Sequence, residues 1–169
     1  MISNPIKENG LIKITYDNIY SSNNNTTVII NNINRNLRSG DINVILSEKI
    51  LYKAGTYNAI YTPRKKDKFK NIGICYVNFI HQKYILQLLD KLKDKNYFKK
   101  KDDLNEIFWA EIQGDEFIKK MSENWEKDKS LDFIQFSNVN IEESDVIVDT
   151  NNLIILLIQI FNNNIKYFF

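Results

Sequence analysis

The hydrophobic pattern changes period near residue 80, and this narrows the folds open to the 169-residue chain more than anything else in it. Upstream, β-branched and aromatic residues come in short runs bounded by turn-formers: residues 11–20, ended by 21–25; 26–30; 42–46, after the Ser39-Gly40-Asp41 turn; 56–61, ended by Pro63; and 71–77. Runs of this length and composition predict strands. Downstream, Ile80, Tyr84, Ile85, Leu88, Leu89 and Leu92 share one face of a helix expected to begin near Asn78. A second helix is expected from Asp102 or Asp103, whose side chains accept first-turn amides, with Glu106 three residues after Asp103. Its face would carry Leu104, Ile107, Phe108 and Glu111 or Ile112 as far as Gly114. Phe117, Ile118, Met121 and Trp125 then continue an amphipathic pattern to about Lys127. Residues 131–139 and 146–148 read as short strands. Residues 153–161 are apolar on all sides, a buried helix or a buried strand, with helix preferred. A mainly β first half, amphipathic helices in the middle and a mixed C-terminal segment predict an α+β fold in a single domain, 1–169.

Several classes of protein are excluded by composition. With 43% hydrophobic and 12% aromatic residues the chain is too apolar to remain disordered. One cysteine excludes a disulfide scaffold and a cysteine-built zinc site. The N-terminus lacks a basic segment followed by an apolar run, and the longest apolar stretch, 153–161, is far short of the ~20 residues that span a bilayer. The expectation is a cytoplasmic protein without membrane association. Asn 24, Ile 27 and Lys 20 mark an AT-rich coding bias, so the Asn runs at 23–25 and 162–164 read as loops.

Neither a G-x-x-x-x-G-K-[ST] loop nor G-x-G-x-x-G is present, which removes the glycine-dependent amide cradle for phosphates. The single imidazole, His81, excludes any site that needs two, and the acidic residues read as solvated helix faces in preference to a metal site. Cys75 and His81 are the only thiol and imidazole, and Cys75 lies among Ile72, Ile74, Tyr76 and Val77, a context that predicts a buried, inert cysteine. No carboxylate pair precedes a lysine at nuclease spacing. The expectation is a protein that is not an enzyme and holds no cofactor and no metal.

Charge is divided along the chain. Residues 1–101 hold 18 Lys and Arg against 7 acids, net +11, and residues 102–169 are net −9. The two halves either present separate surfaces to partners of opposite sign or face one another as ordinary ion pairs. In the acidic part, Asp102, Asp103, Glu106, Glu111, Asp115 and Glu116 surround Trp109 and Trp125, an acidic face with aromatic anchors suited to a basic protein partner. In the basic part, Arg64, Lys65, Lys66, Lys68 and Lys70 form an alternative patch that, with the lysines of 91–101, suits nucleic acid, although three arginines are few for specific recognition.

A small α+β chain without catalytic motifs and with a concentrated acidic stretch at 102–126 resembles the bacterial immunity proteins, inhibitors that neutralise a cognate toxin. The resemblance is one of kind and carries over no individual residue. It implies binding to a cognate protein, a toxin domain such as a basic nuclease, through the acidic helices around Trp109 and Trp125. The positive first half departs from the acidic type and leaves an acidic toxin surface open as the target of residues 64–70. A phage or viral inhibitor of a host defence or death pathway has the same features, and a nucleic-acid-binding accessory protein is the reading from a different class.

Overall fold

A computed structural model of the chain describes residues 7–8, 10–21, 24–52, 55–65, 69–93, 95–98 and 104–136, with backbone alone at 7 and 8. Contacts divide the chain into Met1–Asn138 and Val139–Phe169, and every described residue lies in the first. The segments expected at 146–148 and 153–161 therefore lie outside the described residues.

In chain order the elements are β1 (Lys7–Glu8), β2 (Leu11–Ile12), β3 (Thr27–Ile30), α1 (Ser39–Ile45), a π-helical turn (Leu46–Ile50), β4 (Tyr57–Tyr61), β5 (Cys75–Phe79), α2 (Gln82–Leu92), β6 (Ile107–Trp109), α3 (Gly114–Lys127) and β7 (Phe133–Gln135). The fold is α+β. Five strands form one antiparallel sheet in the order β6-β3-β5-β4-β7, and β1 pairs with β2 separately.

Side chains alternate across a strand, so each strand feeds two faces. Val28, Ile30, Ile60, Cys75, Val77, Phe79, Ile107 and Trp109 enter the main core, where α1, the π-helical turn and α2 meet them with Ile42, Leu46, Ile50, Ile85 and Leu88. On the opposite face Ile29, Phe108 and Ala110 cluster with Leu11, Ile74 and Tyr76. There Phe117 of α3 stacks on Tyr76, ring centroids 5.9 Å apart. Each fully buried Leu, Ile or Phe contributes about 1.5–3 kcal/mol. Coverage on both faces explains why all four residues of β3 are buried and why its sequence reads as a continuous apolar run.

Four expectations are corrected. Within residues 11–20 only Leu11–Ile12 is a strand, extended by a bridge from Lys13 to Phe108. The chain then turns, held by Asn18, whose Oδ1 accepts the Thr15 N–H at 2.9 Å and whose Nδ2 donates to the Lys13 carbonyl at 2.8 Å. Residues 42–46 are helical despite their β-branched composition, because Ile42, Ile45, Leu46 and Ile50 recur at i, i+3, i+4 and i+8 and all reach the main core. The Asp41 carboxylate accepts the Arg38 N–H at 2.8 Å and closes that helix start. The helix expected from Asn78 starts at Gln82, since β5 runs to Phe79; the N-cap is His81, whose Nδ1 accepts the Lys83 N–H at 3.0 Å.

The fourth correction concerns the helix expected from Asp102 or Asp103. Both aspartates lie outside the described residues, and Ile107, Phe108 and Trp109 form edge strand β6 against β3. The apparent helical spacing fails because Leu104, required on the buried face, is 54% exposed, whereas three consecutive large residues find burial on the two faces of a sheet. Gly114 starts α3 instead of ending a helix; its φ of +54° is left-handed, a conformation open to glycine. No helix among the described residues is long and apolar enough to cross a membrane.

Candidate functional site

Strand β6 carries Trp109 to its end, and the chain leaves the sheet through Ala110 and Glu111. What directs it from there is Gln113. Its Oε1 accepts the N–H groups of Thr26 and Thr27 at 2.9 and 2.7 Å, and its Nε2 donates to the carbonyls of Thr27 and Ala110 at 2.9 and 2.6 Å. One side-chain amide thus satisfies both polarities of backbone at the start of β3. Thr27 Oγ1 accepts the Gly114 N–H at 2.9 Å and donates to Asn78 Oδ1 at 2.7 Å, and Asn78 Nδ2 donates to Asn58 Oδ1 at 2.7 Å. This network fixes the junction of β6 and α3 to the sheet.

Beside the junction opens a pocket of about 340 Å³ between β2, the 16–21 turn and the end of β6. Leu11, Ile12 and Trp109 supply apolar walls, Asn18 and Ser21 supply polar groups, and Glu111 supplies a carboxylate. Trp109 is 5% exposed, so most of the indole belongs to the core and only a margin faces the pocket. Glu111 is exposed and has no cation within ion-pair distance among the described residues. Its charge, with burial as the larger cause, holds the Tyr76 hydroxyl above its ordinary pKa. Asp115 and Glu116 are exposed on the first turn of α3, where the positive end of the helix dipole favours carboxylates.

Two of the sequence-predicted contact residues, Trp109 and Glu111, are thus brought to one pocket, and Asp115 and Glu116 follow it along the chain. The others are not. Glu106 is ion-paired with Lys13. Trp109 is not the protruding anchor that an acidic face with aromatics implied, because it sits in β6 and packs in the core. Trp125 lies eleven residues beyond Gly114, about 16 Å along α3. Its ring is covered by the Lys129 ammonium at 3.5 Å, which also pairs with Glu126 at 2.7 Å. The pocket's polar side chains, Asn18 and Ser21, were visible in the sequence only as turn-formers.

The alternative basic patch is also rearranged. Arg64 is turned inward, donating to Asp132 from Nε at 3.1 Å and Nη2 at 2.7 Å, and its bridge with Asn71 closes the loop between β4 and β5. Lys65 and Lys70 are exposed on that loop; Lys66 and Lys68 lie outside the described residues. Cys75 points into the main core, where burial pushes its thiol pKa well up, and His81 is exposed at the α2 N-cap. Six residues of mostly extended chain separate the two by roughly 20 Å, too far for a nucleophile and its base. Among the described residues no three His, Cys, Asp or Glu side chains gather as metal ligands. No protein-family model matches the chain, and no curated protein matches it.

Proposed function

We propose that this protein acts by binding another protein and inhibiting it, without turning over a substrate, in the manner of an immunity protein that neutralises a cognate toxin. One observation carries the reading. The pocket beside β6 joins an indole margin and apolar walls to the Glu111 carboxylate, which has no cation within ion-pair distance among the described residues, and Asp115 and Glu116 continue the negative charge onto α3. A lysine or arginine side chain from a basic partner, such as a nuclease toxin, fits that combination: its stem packs on Leu11 and Ile12 and its cation meets Glu111 and the edge of Trp109. The surrounding carboxylates would speed encounter with such a partner.

The test is to purify the chain with the product of the adjacent reading frame and measure association and loss of toxic activity together. Stoichiometric binding with inhibition is expected. The triple variant Glu111→Lys, Asp115→Lys, Glu116→Lys should slow association by about tenfold or more at low salt, with the difference shrinking as salt rises. Failure of the pair to associate, or an association rate indifferent to the three reversals, rejects the reading.

A further inference from the structure

Arg64 and Asn71 bridge the loop between β4 and β5, and Phe69, Lys70 and Ile72 beside that bridge belong neither to a core nor to the pocket beside β6. Phe69, at 87%, is the most exposed large hydrophobic side chain among the described residues, and Ile72 is 41% exposed. A single exposed ring is ordinary on a protein surface. This one is set apart by the cations around it.

Lys65 follows Arg64 and Lys70 precedes Asn71, so the antiparallel bridge brings the two lysines to neighbouring backbone positions, and both are exposed. Asn71 ties a further segment to the same place. Its N–H donates to the Arg35 carbonyl at 2.9 Å, and its Nδ2 donates to the carbonyls of Asn34 and Leu37. Arg35 is exposed, with its Nε 4.0 Å from where a side chain on Gly73, next to Ile72, would begin. Arg64 is engaged by Asp132, whereas Arg35, Lys65 and Lys70 have no carboxylate within ion-pair distance among the described residues. In sequence, residues 64–70 hold five Lys and Arg and one acid.

The kind of partner follows from what the loop offers. A polynucleotide strand is held by successive rings along a basic groove, and here there is one ring, with an aliphatic Ile72 that cannot stack on a base. A stable protein contact buries about 800 Å² on each partner, more than a few side chains of one loop supply. An anionic bilayer needs neither a groove nor a fixed arrangement of charges: an apolar side chain enters the acyl boundary while cations near it meet the headgroups. We propose that the β4–β5 loop docks the protein on an anionic membrane surface, with Phe69 inserted below the headgroups and Arg35, Lys65 and Lys70 at the lipid phosphates. Such a contact is weak and reversible and requires no spanning segment, so the absence of one, from which no membrane association was expected, does not bear on it.

Flotation of the full chain with lipid vesicles tests the proposal. Phosphatidylcholine vesicles containing about one-third phosphatidylserine should carry the chain at ~50 mM salt and release it as salt rises, and phosphatidylcholine alone should not carry it. Phe69→Ser should weaken partition about tenfold, and Lys65→Ala with Lys70→Ala about twentyfold, with thermal midpoints unchanged because all three side chains are exposed. Phe69→Trp reads insertion directly: its emission, as the difference from the parent with Trp109 and Trp125, should shift to the blue on anionic vesicles and be quenched by brominated acyl chains. An oligonucleotide at equal phosphate should leave the chain on the vesicles. The proposal is overturned by no binding to anionic vesicles, equal binding to neutral ones, partition unchanged in Phe69→Ser, emission of Phe69→Trp unmoved by vesicles, or complete release by the oligonucleotide.

Discussion

Asparagine side chains do much of the work of backbone in the loops of this protein. Asn71 Nδ2 donates to the carbonyls of Asn34 and Leu37 at 2.9 and 2.7 Å, while its Oδ1 accepts the Gly73 N–H at 2.7 Å. Asn105 Nδ2 donates to the Asn31 carbonyl at 3.0 Å, and Asn24 and Asn32 hold φ of +57° and +59°. A primary amide offers the donor and acceptor of a peptide group and tolerates the left-handed region, so Asn ends turns in a chain with only five glycines. Composition suggests a coding bias; the hydrogen bonds show that at these positions the residue is structural. Two predictions belong at this scale. Cys75, fully buried with its thiol pKa pushed up, should resist a thiol reagent in native buffer and react at the rate of unfolding in denaturant; rapid labelling of the native chain contradicts this. Burial also raises the pKa values of Tyr57, Tyr61 and Tyr76 above their ordinary 10.0. Above pH ~10 the unfolded chain gives up these protons first, so stability present below that pH should fall as pH rises through it. Thermal melts across that range, beside tyrosinate absorbance, would expose an error if stability held constant while the three tyrosines ionised.

Elements in this fold depend on side chains supplied by other elements. The start of β3 is completed by Gln113, which lies between β6 and α3, and the start of α1 by Asp132, whose carboxylate accepts the Ser39 N–H at 3.2 Å just before β7. Gln113→Ala leaves two amides and the Ala110 carbonyl to find new partners, while the Thr27 carbonyl keeps the Ala110 N–H at 3.1 Å, and should cost about 2–3 kcal/mol in a denaturant titration. Gln113→Glu should also destabilise, because a carboxylate cannot donate to Thr27 and Ala110; a fully stable Glu variant would show the donors to be unimportant. The same dependence explains which elements were legible. The face of α2, Tyr84, Ile85, Leu88 and Leu92, stands in the sequence because its burial repeats at helical spacing within one segment. Helix α1 and strand β6 exchanged their expected states because their short apolar runs suit either period, and the neighbours that choose, β4 and β7 for the one and β3 for the other, lie in other segments of the chain.

Across the whole molecule the opposed halves of charge partly cancel in pairs that bridge them, Lys13 with Glu106 and Arg64 with Asp132. The second pair is mostly buried, with side chains 20% and 14% exposed. Removing one partner strands the other, so Arg64→Ala should cost about 3 kcal/mol and Arg64→Ala with Asp132→Ala less than the separate losses combined. A double-mutant cycle by chemical denaturation measures the coupling, and strict additivity would deny it. Other charges among the described residues stay exposed: Glu111 at the pocket, Asp115 and Glu116 on the first turn of α3, Lys91 and Lys93 at the end of α2 and Lys95 after it. Of the contact face expected from sequence, the carboxylates after β6 were legible because consecutive charges seek water wherever the chain goes. Trp109 was not, since an indole is equally suited to a core and an interface. The sequence by itself determined an α+β protein with strands mainly in its first half, because hydrophobic period is a local property that folding reads directly. Which apolar runs became strands, and which charges were paired across the chain, were decided only by tertiary structure, because burial and ion pairing arise between segments whose separation along the chain hides that they will meet.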